Sequence, residues 1–180
     1  MEKNVSPSKS AIQYGVIFGI IMIFELVISY SFNISPDKNK GYGITINLLN
    51  FLILPISLIY IGCNNYKYKL NSGFISFKES LKIGVTICTV AALIYAIFSI
   101  IFNMIFPEFA EKILNDVKEQ IIKQGEGQPR EQTEMALKMT EKMMKPYIVL
   151  PITIVMYAFI GLIYSLIIGA VVKKERPTSF

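Results

Sequence analysis

Residues 81–106 read LKIGVTICTVAALIYAIFSIIFNMIF, twenty-six residues whose only formal charge is Lys82 at the leading edge. A helix needs about 20 consecutive apolar residues to cross a bilayer, and this stretch exceeds that. Three further stretches read the same way. Residues 147–172, YIVLPITIVMYAFIGLIYSLIIGAVV, and residues 44–62, ITINLLNFLILPISLIYIG, carry no formal charge. Residues 11–32, AIQYGVIFGIIMIFELVISYSF, carry one, Glu25. The fold predicted from them is an all-α membrane protein with four transmembrane helices in one domain.

Composition agrees. Hydrophobic residues make up 53% of the chain and charged residues 17%, with a mean hydropathy of +0.49. A soluble domain carries about a quarter charged residues, so the balance points to a membrane protein. The net charge of +5 is scattered over connections, and no basic stripe with interleaved aromatics marks a nucleic-acid partner. Histidine is absent. That removes the commonest general base and metal ligand, and the Ser-His arrangements with them. Cys63 and Cys88 show no paired or metal-binding spacing and read as two buried thiols. No catalytic, cofactor-binding or metal-binding residues are assigned, and an enzyme is not expected. The first apolar run is longer than a signal-peptide core and lacks a small-residue cleavage site, so it reads as a retained span.

The connections carry more detail. Asn33, Pro36, Asp37, Asn39, Gly41 and Gly43 form a short turn-rich link, which predicts that span two returns directly beside span one. Pro55 falls inside span two, where it removes a backbone donor and leaves a carbonyl for neighbours to satisfy. Residues 63–80 read as a connection, with a turn at Asn71-Ser72-Gly73. Ser76 and Glu79 then fit a capping box, which starts helix three near Phe77 and carries it to Phe106, before Pro107.

Residues 107–146 change character. Phe109, Ile113, Leu114, Val117 and Ile121 recur at helical spacing among charges, and Gly125-Glu126-Gly127-Gln128-Pro129 interrupts them. Met135, Met139 and Met143 repeat every fourth residue in a second amphipathic stretch. These residues predict an extramembrane amphipathic helical hairpin between helices three and four. Thioethers suit Cu(I), but no histidine or cysteine accompanies the methionines, so they read as the apolar face of a helix.

The segment Tyr66-Lys67-Tyr68-Lys69 … Gly73-Phe74-Ile75-Ser76-Phe77 … Gly84 resembles the signature of an uncharacterised family of short four-span membrane proteins common in Bacteroidetes. In that domain-of-unknown-function family a basic, tyrosine-containing segment leads to a glycine and a Ser-Phe pair that opens the third helix. A long charged segment then precedes the fourth. The resemblance implies a bacterial inner membrane and brings no activity with it.

An even number of spans places both termini on one side. Lys3, Lys9, Lys67, Lys69, Lys78, Lys82, Lys173, Lys174 and Arg176 concentrate there in shorter segments than Lys38, Lys40 and the hairpin cations opposite. By the positive-inside rule the termini are expected to be cytoplasmic.

Glu25 is the one formal charge deep in a span. A carboxylate at the bilayer centre costs about 2.5–3.5 kcal/mol on insertion scales and turns toward the bundle interior. It lies seven residues before position 32, and Asn50 lies six after position 44, so a rise of about 1.5 Å per residue sets the two at matching depth in antiparallel helices. Asn47, Ser99, Tyr95, Thr153 and Tyr157 fall in a similar layer. Two readings follow: a structural hydrogen bond between Glu25 and an asparagine, or a polar intramembrane site that takes up a proton or a cation. Small residues at Gly15 and Gly19, and at Gly161, Ser165 and Gly169, suit close helix packing.

The function expected is that of a non-enzymatic accessory or interaction subunit. Its alternative is a small oligomeric transporter or channel-like protein that uses the layer around Glu25. Expected partners are the lipid bilayer and a second copy of the chain or another membrane protein.

Overall fold

The computed structural model describes residues 5–34, 39–127 and 129–176. Lys3, Pro36, Asp37, Lys38 and Gln128 lie outside these. Four continuous helical segments are long and apolar enough to cross a membrane: Pro7–Ser31, Lys40–Leu70, Phe77–Ile105 and Pro146–Val172. Helix α1 (Pro7–Ser31) opens on Ser6, whose hydroxyl accepts from the Lys9 amide at 3.3 Å, with Pro7 in the first turn. The second segment is α2 (Lys40–Leu48), a π-helical turn at Leu49–Ile53, α3 (Leu54–Asn65) and a second π turn at Tyr66–Leu70.

The expected connection over residues 63–80 is therefore helical as far as Leu70. One reason lies in Lys67, which is 9% exposed and donates to the Val172 carbonyl at 2.8 Å. An ammonium there meets the orphaned carbonyls and negative end of the fourth segment. The helical course of 63–70 brings it into the bundle rather than out to water.

Helix α4 (Phe77–Ile105) begins at the predicted capping box. The Glu79 amide donates to the Ser76 hydroxyl at 3.3 Å, and the Ser76 amide donates to the Glu79 carboxylate at 2.7 Å. It ends one residue before the predicted Phe106, and Pro107 starts α5 (Pro107–Gln124). Helix α6 (Arg130–Met143) packs on α5 and leads to α7 (Pro146–Val172).

Helix α4 is the centre, packed along α1 on one side and α7 on the other, while α3 touches all three. Span two is thus a lesser neighbour of span one than predicted. Small residues account for this. A Cβ on Gly15 would stand 2.7 Å from the Val90 Cβ and 2.8 Å from the Ile87 carbonyl oxygen, so α1 lies backbone-close to α4. On the other side, a Cβ on Gly84 would stand 2.5 Å from the Ser165 Cβ, and one on Gly161 would stand 2.6 Å from the Gly84 carbonyl oxygen. Gly19 faces Ile94 and Gly169 faces Ser80 in the same manner. The small residues are spent inside the bundle. Large apolar side chains such as Phe24, Ile53, Ile97, Phe159 and Val171 point outward.

Pro55 behaves as its chemistry requires. The amide it lacks would have bonded Phe51, four residues back. The wide turn before it accommodates the ring, and the Tyr164 hydroxyl on α7 donates to the Phe51 carbonyl at 2.7 Å.

Candidate functional site

Glu25 projects from α1 toward the π turn of the second segment, where Asn50 is 6% exposed. The Asn50 amide nitrogen donates to Glu25 Oε2. The Tyr42 hydroxyl on α2 donates to the Glu25 backbone carbonyl at 3.3 Å. Two oxygens of this pair remain over: among the described residues, Glu25 Oε1 and Asn50 Oδ1, both buried, have no hydrogen-bond partner. Buried polar atoms are nearly always paired, so two such acceptors on one bonded pair mark a place for a donor.

Both residues line a cavity of about 320 Å³. Its walls come from α1, α2, the π turn at Leu49–Ile53, α4, α5 and α7, with Tyr42, Phe51, Tyr95, Phe109 and Tyr157 as the rings and Met22 and Met156 among the rest. Tyr157 is buried and held in place, its ring 5.8 Å from Phe51 in a stack and 5.9 Å from Phe18 edge-on. Thr153 also lines the cavity, with its hydroxyl donating back to the Val149 carbonyl at 2.8 Å.

The hairpin after α4 contributes to the walls through Phe109 and Ile113. Aromatic contacts hold it there: Tyr30 of α1 lies 5.4 Å from Phe109, 5.3 Å from Phe102 and 4.7 Å from Phe106. Lys112 donates to the Asn33 carbonyl at 3.3 Å and to its side chain. A second cavity, about 450 Å³, shares Leu26, Tyr95, Phe109 and Ile113 with the first and continues past Ser99 to Glu111, Glu141 and Lys145.

Of the predicted layer, Glu25, Asn50, Tyr95, Thr153 and Tyr157 come together around one cavity, and Ser99 lines its neighbour. Asn47 does not join them. It is exposed and lies in a shallow groove with Leu52 and Tyr164. The reason is the π turn: its bonds reach one residue further than α-helical ones, so residues three apart no longer share a face as they do at 3.6 per turn. Tyr42, Phe109 and Ile113 escaped the sequence reading, since only the fold brings the short link and the hairpin to this cavity. Met135, Met139 and Met143 are exposed on α6. Among the described residues, no group of three or more His, Cys, Asp or Glu is placed to hold a metal ion.

Four apolar helices, with a hydrogen-bonded carboxylate–amide pair at a largely apolar cavity, define a helical membrane protein. The chain belongs to the family described as protein of unknown function (DUF4199), whose model matches residues 13–174. No curated protein and no solved structure matches it.

Proposed function

We propose that this is a non-enzymatic multi-pass protein of a bacterial inner membrane that acts as a small cation-handling transporter. In it Glu25 takes up a proton and a cation by turns. The observation that carries this reading is the pair of unpartnered oxygens, Glu25 Oε1 and Asn50 Oδ1, at a cavity. A proton on Oε1, donated to Oδ1, closes a carboxyl–carboxamide ring in which every polar atom of the pair is satisfied. A cation seated on the same two oxygens displaces that proton. The two occupants exclude each other, and mutual exclusion is what couples one movement to the other.

On this reading both termini are cytoplasmic. Lys78, Lys82, Lys174 and Arg176 gather around one pocket with Val5, Ser6 and Pro7 at the start of α1, which suits the positive-inside rule. The α5–α6 hairpin is then outside the bilayer on the opposite side. Four spans are few to enclose a whole pathway, so the reading includes assembly with a second copy.

The test is proton movement in proteoliposomes carrying an internal pH dye. A gradient of monovalent cation, inorganic or organic, is expected to drive protons the other way in the wild type and not in Glu25→Gln. Equal proton movement in both would overturn the reading and return the accessory-subunit role.

A further inference from the structure

We infer that the Glu25 cavity takes an organic cation with an N–H-bearing ammonium group on an apolar body of about one aromatic ring. This rests on the cation reading above and names the class of cation. Hard metal cations collect six or more oxygen ligands. Among the described residues the cavity offers two unpartnered ones, Glu25 Oε1 and Asn50 Oδ1, with Thr153 Oγ1 also in its wall. A bare ion would have to keep most of its water among apolar side chains. An ammonium group needs no such shell: two N–H bonds meet the two acceptors, and the charge is neutralised by the carboxylate.

The rest of the lining suits the remainder of such a molecule. The rings of Phe51, Tyr95 and Tyr157 bound the space around the carboxylate, and cations are drawn to such faces. The charged and titratable groups that face Glu25 can be named element by element. They are Tyr42 from α2, Tyr95 from α4 and Tyr157 from α7, while α5 presents only Phe109 and Ile113. Among the described lining residues no lysine or arginine competes for the carboxylate. The volume, about 320 Å³, lies at the small end of ligand cavities, which run from about 300 to 1,000 Å³. One ring and a short amine arm fit that scale.

The requirement for N–H donors makes the inference sharp. Trimethylation keeps the charge and the ring but removes every donor. Calorimetry on the detergent-solubilised full chain would compare 2-phenylethylammonium with its N,N,N-trimethyl counterpart and with 2-phenylethanol. The primary ammonium is expected to bind saturably, and both analogues at least about tenfold more weakly. Glu25→Gln is expected to abolish the saturable component, and Asn47→Ala, outside the cavity, to leave it unchanged. Equal binding of the trimethyl analogue, or binding that survives Glu25→Gln, would overturn the inference. Should Glu25→Gln fail to fold, the three-ligand comparison on the wild type decides alone. If sodium or potassium displaces protons in proteoliposomes while 2-phenylethylammonium does not bind, this inference falls and the cation reading stands. If no cation displaces protons, both fall.

Discussion

Tyr164→Phe removes one oxygen from a helix face and should nonetheless weaken the bundle measurably, because of a proline on another helix. Pro55 leaves the Phe51 carbonyl without its intrahelical donor, and the Tyr164 hydroxyl supplies one at 2.7 Å. Within a bilayer or micelle interior no water replaces it. Hydrogen bonds between membrane helices average about 0.6 kcal/mol and reach about 1.7, because broken partners usually find others. Here the usual alternative is missing, and an orphaned acceptor costs about 1–3 kcal/mol. The two ranges overlap near ~1.5 kcal/mol, which for a chain of this size lowers the melting temperature by about 3–6 °C. Thermal unfolding in detergent, followed by circular dichroism, measures it. Pro55→Ala provides the control, since an alanine amide can bond Phe51 itself. In that background Tyr164→Phe should cost at least ~1 kcal/mol less, a coupling that a double-mutant cycle reads directly. An equal loss in both backgrounds, or none in either, would refute the reasoning.

Three further outcomes are expected. Gly84→Ala places a methyl 2.5 Å from the Ser165 Cβ and should destabilise the α4–α7 contact by about 1–3 kcal/mol, whereas Gly41→Ala, with nothing nearer than 3.6 Å, should be tolerated; melting curves of the two compare directly. Lys67→Met withdraws the donor from the Val172 carbonyl and should expose the segment after α7 to protease severalfold faster than in the wild type. Cys63 and Cys88 are fully buried in the bundle and should resist a membrane-permeant maleimide until the protein is unfolded, as mass spectrometry of labelled protein would record.

Much of this architecture is legible in the sequence because the rules involved are local. Ser76 and Glu79 announce a helix start, since both halves of the box lie within four residues. Pro55 announces a freed carbonyl whatever surrounds it. The meeting of Glu25 with Asn50 follows from a fixed rise per residue in two antiparallel helices. What escaped depends on partners distant in sequence or on departures from the α-helix. At 3.6 residues per turn Asn47 shares the face of Asn50, but the π turn rotates it away. In the sequence Lys67 is one of the cations of the 63–80 connection, and only the end of α7 makes it a cap. Helix α1 was expected against span two, whereas Gly15 and Gly19 fit it to α4, whose own small residues, Ser80 and Gly84, receive α7. The cavity's outer wall is hidden for the same reason, since Phe109 belongs to a charged hairpin that the sequence sets apart from the bundle.

The central claim is that Glu25 holds a proton which a cation displaces. Infrared difference spectroscopy on the reconstituted protein reads that exchange at the group itself, through the carbonyl band of a protonated carboxyl. Adding 2-phenylethylammonium or an inorganic monovalent cation should remove one such band and bring up carboxylate absorption in the wild type, with neither change in Glu25→Gln. A spectrum in which no carboxyl band responds to any cation, or in which Glu25→Gln responds as the wild type does, would contradict the account.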